Sequence, residues 1–259
     1  MKYKNLTYCF TTKFGKYKNN DYILTFYKLA MIRAKEFGHS VTFFGCKYSI
    51  DFLKGYYDEV VDISDKNFEL VDDLKLYIHE IGSIDTITID GDLILNDKLI
   101  IDEEVDVVYD AKEYLDTAWG DVYKKFLPKL KKYPIEDVID GFAFDTPFAI
   151  NVGILKFNNN QTKNLFIEKY KEFREYYLNS IEPIEKFKEN ETFISIIICQ
   201  FLFGSLINKK NISSIGLKYD ENKFRYNNHY WHWIGHTKFS SKAKSSFDEY
   251  DINLPTTIL

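Results

Sequence analysis

Two segments of the chain carry residues whose types and spacing suit one piece of chemistry. Asp90-Gly91-Asp92 follows the apolar run Thr86-Ile87-Thr88-Ile89 and precedes another, Leu93-Ile94-Leu95. Two carboxylates one residue apart at a strand end can turn their oxygens toward one hard divalent cation, Mn2+ or Mg2+. The glycine between them lets the backbone turn tightly and a ligand come close. Far downstream lies His232-Trp233-Ile234-Gly235-His236-Thr237-Lys238, spaced His-x-x-Gly-x-x-Lys. The imidazole of His232 can complete the coordination of a cation. Gly235 lets backbone N–H groups approach a phosphate, and Lys238 supplies a point charge for a diphosphate. A diphosphate is a poor leaving group until its charge is neutralised, which is what a cation acting as a Lewis acid does.

A third segment, Ala149 to Asn158, is an apolar strand interrupted by Asn151, with Gly153 two residues on. Asn carries both a donor and an acceptor and suits a sugar hydroxyl, and a glycine leaves room for a ring. Each of these segments also has a plain structural explanation. Asp-Gly between apolar runs is a hairpin signal. His232 stands between Trp231 and Trp233, as in an aromatic cluster, and Asn151 with Gly153 suits a β-bulge at an edge. The acid pair followed by the fixed His-Gly-Lys spacing favours a site.

The elements that must position these residues alternate along the first hundred positions. Leu6–Thr11, Val41–Phe44, Glu59–Ile63 and Thr86–Ile89 read as strands. Between them, 25–37, 50–56 and 70–81 read as helices, the first stopping at Gly38 and the third with Leu70, Leu74, Ile78 and Ile81 on one side. Such βαβ alternation predicts a mostly parallel sheet covered on both faces, with ligands outside the carboxyl ends of its strands. Asp90 and Asp92 fall at such an end. Further on, 104–109 and 148–157 read as strands, 112–132 as partly helical, 162–179 as an amphipathic helix and 189–206 as a buried one. No linker rich in Pro, Gly or Ser divides the chain. One domain is expected, with residues 1–100 as the nucleotide-binding half and 101–259 as the acceptor-binding half.

Composition narrows the classes. The 259 residues bury a sizeable core without needing a second domain. A net charge of −5 with no basic stretch argues against nucleic acid as a partner. The 17% aromatic content suits sugar recognition but equally fits the Asn, Lys and Ile bias of the whole chain. Cys9, Cys46 and Cys199 are far apart in apolar surroundings and read as reduced core residues. No signal-peptide core opens the chain and no apolar run is long enough to span a membrane, so the expected compartment is the cytoplasm.

These residues resemble the GT-A nucleotide-sugar glycosyltransferases, in particular the glycogenin-like and lipopolysaccharide-galactosyltransferase-like group known as family eight. The matching motifs, in order, are Asp90-Gly91-Asp92, Asn151 to Asn158, Glu189-Asn190-Glu191 and His232 to Lys238. The chain departs from the family pattern at Phe239-Ser240, where Pro-Trp is usual, and at Glu189, where the family has Asp-Gln. The resemblance implies an α/β fold of the GT-A, Rossmann-like kind, a three-layer α/β/α sandwich around a mostly parallel sheet. It implies that Asp90, Asp92 and His232 bind Mn2+ or Mg2+, and that Gly91, Gly235 and Lys238 hold the diphosphate. Tyr8, Thr11 and Thr12 would lie against the nucleoside, and Lys75 would contact the donor. Asn151, Gly153, Glu189 and Glu191 would face the transferred sugar and the acceptor, with Glu189 or Glu191 as base if the reaction inverts.

The implied activity is transfer of a hexose from a nucleotide-diphosphate sugar, a UDP-sugar first among them, to a hydroxyl of a glycan, a lipid-linked glycan or a protein, with retention. Three other readings use the same residues. They are a metal-dependent hydrolase or nucleotidyltransferase, a non-catalytic sugar-binding protein of the same fold, and a transferase acting on a modified DNA base.

Overall fold

The computed structural model describes residues 5–11, 20–70, 72–101, 104–116, 121–180, 197–217 and 230–232. Strand β1 (Asn5–Phe10) is a short β-prone run whose Leu6, Tyr8 and Phe10 are buried. It leads to α1 (Asn20–Glu36), which ends because Gly38 takes φ +78°, open to glycine without strain. There the Gly38 N–H donates to the Lys35 carbonyl at 2.9 Å and the His39 N–H to the Ala34 carbonyl at 3.0 Å, closing the helix end. Next come β2 (Ser40–Gly45), α2 (Lys47–Phe52), β3 (Glu59–Asp62), α3 (Asp73–Ile81), β4 (Ile87–Ile89) and β5 (Leu93–Leu95). The chain continues through β6 (Val107–Tyr114), α4 (Asp121–Leu130), α5 (Ile135–Val138), β7 (Phe148–Phe157) and α6 (Asn160–Ser180). A π-helical turn, Ile197–Phe201, runs into α7 (Leu202–Lys210), followed by β8 (Ser214–Gly216) and β9 (Tyr230–His232).

The chain forms two compact units. The first contains the described residues up to Phe68, those from Thr86 to 101, and β9. Its strands β3, β2, β1 and β4 pair in parallel in that order, with Leu6 opposite both Val41 and Ile87. Strands β5 and β9 form a separate antiparallel ribbon. Tyr8, Phe26 and Phe43 fill the core of this unit and are almost wholly buried. Each such side chain contributes on the order of 2 kcal/mol relative to exposure.

The second unit contains 69–85 and the described residues from 104 to 217. Strand β6 pairs antiparallel with β7 and parallel with β8. Helix α3 buries Leu74, Leu76 and Ile78, whereas Ile81 is exposed at its end. Asp73 ties this helix to α6, because its carboxylate accepts the Tyr170 hydroxyl at 2.8 Å and the Arg174 Nε–H at 2.9 Å. Helix α6 begins where the Asn159 side chain accepts the Thr162 N–H at 2.7 Å, an N-cap that satisfies an otherwise orphaned donor. The three cysteines are free thiols, and only Cys199 is fully buried. Among the described residues no helix is long and apolar enough to cross a membrane.

The expected α/β class and mostly parallel pairing are present. Three features differ from expectation. Strand β6 runs on to Tyr114, five residues past its expected end at Tyr109. The short elements α5, β8 and β9 were not foreseen. The strand carrying His232 also groups with the first unit rather than with the residues that precede it.

Candidate active site

The acid pair sits in a tight turn at the carboxyl end of β4. The Leu93 N–H donates to the Asp90 carbonyl at 3.1 Å, so Gly91 and Asp92 are the two central residues. The turn does not close a hairpin. Strand β5 leaves it to pair with β9, placing Leu93 opposite His232, Ile94 opposite Trp231 and Leu95 opposite Tyr230. The backbone of His232 therefore lies beside the residue that follows Asp92. Helix α1 holds the ribbon, since Arg33 Nε–H donates to the Leu95 carbonyl at 2.9 Å. Asp90 and Asp92 are half-buried, and Gly91 is buried between them.

Gly91 is needed for a reason other than a tight turn or an approaching ligand. Its φ lies outside the left-handed region, and a Cβ built on it would fall 2.2 Å from ring carbons of Tyr27. The ring of Tyr27, on α1, occupies that space. Its hydroxyl donates to the Cys9 carbonyl at 2.7 Å. The ring meets Tyr8, Phe10 and Phe43 edge-on, with centroids 6.5, 5.5 and 6.3 Å away. Desolvation of the hydroxyl first, then the neighbouring Cys9, Asp90 and Asp92, push its pKa well above 10. Tyr27 thus stays a neutral donor next to the acid pair. No motif pointed to it, because it is one aromatic residue among many on a helix.

Other expected residues fall as follows. Tyr8 has no exposed surface and donates its hydroxyl to the Ala30 carbonyl at 3.4 Å. It is a core residue of the first unit and offers no face on which a base could stack, so the expected nucleoside contact fails for this side chain. Thr11, three residues on, is half-buried at the carboxyl end of β1. Lys75, Asn151 and Gly153 belong to the second unit. Thr12, Glu189, Glu191, Gly235 and Lys238 lie outside the described residues, as does the side chain of His232.

In the second unit Lys75 is buried and donates from Nζ to the Val152 carbonyl at 2.8 Å. The β6–β7 ladder jumps register here, from Tyr109 opposite Leu155 to Ala111 opposite Asn151, so the bulge suggested by Asn151 and Gly153 is present. Asn151 braces it by accepting the Gly153 N–H at 2.8 Å and donating from Nδ2 to Glu113 Oε1 at 2.9 Å. The Tyr123 hydroxyl lies 2.9 Å from Glu113 Oε2 and 2.8 Å from Gln200 Oε1. Burial, and then the Glu113 carboxylate, hold the Tyr123 phenol well above its ordinary pKa. Glu113, Tyr123 and Gln200 were missed. A signal existed for Gln200, which breaks the longest apolar run of the sequence. Glu113 was hidden because the expected strand stops at Tyr109, four residues short of it.

The donor set fits a hard cation as far as it is described. Asp90 and Asp92 offer oxygen ligands on one turn, and the β5–β9 register brings the His232 backbone to the neighbouring position. Among the described residues no group of three or more His, Cys, Asp or Glu is placed to hold a metal ion.

No protein-family model matches the chain, and no curated protein does. Solved structures do. The chain is similar to a galactosyltransferase, LgtC, determined in complex with donor and acceptor sugar analogs. They share 11% identity over 98% of this chain and 97% of that one, with a TM-score of 0.50. It is also similar to the glycosyltransferase GlyE of Streptococcus pneumoniae TIGR4 at 15% identity and a TM-score of 0.44, covering 98% of this chain and 52% of that one. A third is the CTP:phosphocholine cytidylyltransferase LicC of Streptococcus pneumoniae, at 12% identity and a TM-score of 0.44 over 96% of this chain and 99% of that one. At such identities the likeness is one of fold. The chain has the GT-A, Rossmann-like fold of the galactosyltransferase.

Proposed function

We propose that the protein is a glycosyltransferase moving a hexose from a nucleotide-diphosphate sugar, most simply a UDP-sugar, to a hydroxyl acceptor. One observation carries this reading. The Asp90-Gly91-Asp92 turn lies at the carboxyl end of a parallel strand, and His232 is in register beside it. Ligands of such sheets sit at that end of the strands. The likeness in fold to a galactosyltransferase supports it.

In this reading Asp90, Asp92 and His232 hold Mn2+ or Mg2+. When bound, the cation neutralises the diphosphate and so eases its departure. Lys238 and the Gly235 backbone hold the same diphosphate, Lys238 as a point charge on its phosphates. Thr11 and Thr12, at the end of β1, serve the nucleoside. Lys75, Asn151, Gly153, Glu189 and Glu191 serve the donor sugar and the acceptor. Retention leaves no need for a strong base. If the reaction inverts, Glu191 or Glu189 removes the acceptor proton. The acceptor is a glycan, lipid-linked glycan or protein hydroxyl, and the compartment is the cytoplasm, where nucleotide sugars are held.

A panel of nucleotide sugars tests this. The purified chain with Mn2+ should slowly hydrolyse one of them to free sugar and nucleoside diphosphate, and EDTA should stop it. Binding without turnover would indicate a sugar-binding protein. Release of pyrophosphate from a nucleoside triphosphate would indicate a nucleotidyltransferase.

A further inference from the structure

We propose that Tyr27 is a positioning residue for the acid pair, holding the Asp90–Asp92 turn in the form that accepts a cation. The proposal rests on the metal reading just given. Strands β1 and β4 pair in parallel, with Leu6 opposite Ile87 and Thr7 opposite Thr88. Continued by two residues, that register would set Cys9 opposite Asp90, and the next rung would run from the Gly91 N–H to the Cys9 carbonyl. The Tyr27 hydroxyl stands in that rung. It donates to the Cys9 carbonyl at 2.7 Å, and its ring lies against Gly91. The two strand ends are therefore joined through a side chain, and their backbones need not close on each other.

The ring does the second half of the work. Its carbons lie where a side chain at position 91 would begin, 2.2 Å from an ideal Cβ. The turn thus rests on an aromatic ring that a hydrogen bond anchors to the end of β1 and that is itself wedged against Phe10 and Phe43. Asp90 and Asp92 flank the held residue. A ligand pair held before the cation arrives binds it more tightly, because less ordering is left to be done on binding. Tyr27 needs no contact with the cation for this.

The test uses the full chain and Mn2+ titrated by electron paramagnetic resonance in the presence of UDP. Tyr27→Phe keeps the ring against Gly91 and removes only the hydroxyl. It should weaken Mn2+ binding about tenfold, on the scale of one lost hydrogen bond to an enclosed group, while UDP binding in chelator and the near-ultraviolet circular dichroism stay unchanged. Gly91→Ala disturbs the same contact from the turn's side. It should give a loss of similar size, and the double variant should lose no more than the worse single one. Asp92→Asn is the control for the reading beneath. If Asp92→Asn abolishes Mn2+ binding but Tyr27→Phe binds as the parent does, the positioning role is overturned and the metal site stands. Additive losses in the double variant would also overturn it. If the folded parent binds no Mn2+, the metal reading fails and takes the proposal with it.

Discussion

Leu93 and His232 face each other across the antiparallel ribbon of β5 and β9. They are far apart in sequence, yet this register sets the start of the His-x-x-Gly-x-x-Lys segment next to the end of Asp90-Gly91-Asp92. A one-residue slip would turn every side chain of β9 to the opposite face. The position of His232 relative to the acid pair is thus a property of the ribbon.

Asp92→Asn should lower turnover about a hundredfold or more, the scale of losing a preorganised charge-stabilising group. EDTA should abolish activity and Mn2+ should restore it. The measurement is steady-state transfer or donor hydrolysis. Full activity in EDTA would end the metal assignment.

UDP with Mn2+ should raise the melting temperature, because a ligand binding only the native state adds to apparent stability. UMP, or UDP in chelator, should do so far less. Lys238→Ala should weaken UDP more than uridine, since the contact removed is to phosphate. Equal losses for the two, read by calorimetry, would remove Lys238 from the diphosphate site.

Asn151→Ala deletes the brace of the β6–β7 bulge. The Gly153 N–H loses its acceptor and Glu113 loses a donor. Urea unfolding should show a loss of roughly 1–3 kcal/mol with an unchanged slope, the range for buried groups left unsatisfied. A variant as stable as the parent would show that the brace contributes nothing.

His79 gives the second unit a pH dependence. It is buried on α3 with its ring edge-on to Phe157, and burial, with Lys163 and Lys75 nearby, lowers its pKa from 6.5 to about 3. The unfolded chain binds a proton near pH 6.5 that the folded protein refuses until about 3. Stability contributed by neutral His79 is therefore intact above the unfolded value and falls as pH drops through that window. The slope approaches about 1.4 kcal/mol per pH unit. His79→Phe should flatten the curve of unfolding free energy against pH by one proton's worth. An identical curve would show that His79 titrates normally.

The sequence alone determined the alternating order of elements in the first hundred residues and the whole of β7, Phe148–Phe157. Local signals set these. Apolar periodicity and Gly38 at a helix end act within a few residues, so they are legible in the chain. It also marked the acid pair at a strand end, because a short apolar run followed by Asp-Gly-Asp is local too. Short pieces were invisible: β8 and β9 are three residues each and exist only because a partner strand pairs with them. Helix α4 was blurred by Pro128 within it, which removes a helical N–H.

Tertiary structure alone decided what the marked residues touch. Tyr8 was expected against the nucleoside, and Tyr27 carried no motif. The packing of α1 on β1 and β2 buried the first, sent the hydroxyl of the second to the Cys9 carbonyl and set its ring against Gly91. Gly91 looked like a turn glycine, but its requirement comes from a ring 64 positions earlier in the chain. Asn151 looked like a sugar ligand, and its amide also braces a bulge through Glu113, on the partner strand. Contacts between distant segments are set by register and packing, and neither is written in the spacing of a single run. The residue types of two short motifs therefore named a chemistry that a strand end could perform, and the fold chose the neighbours that hold it in place.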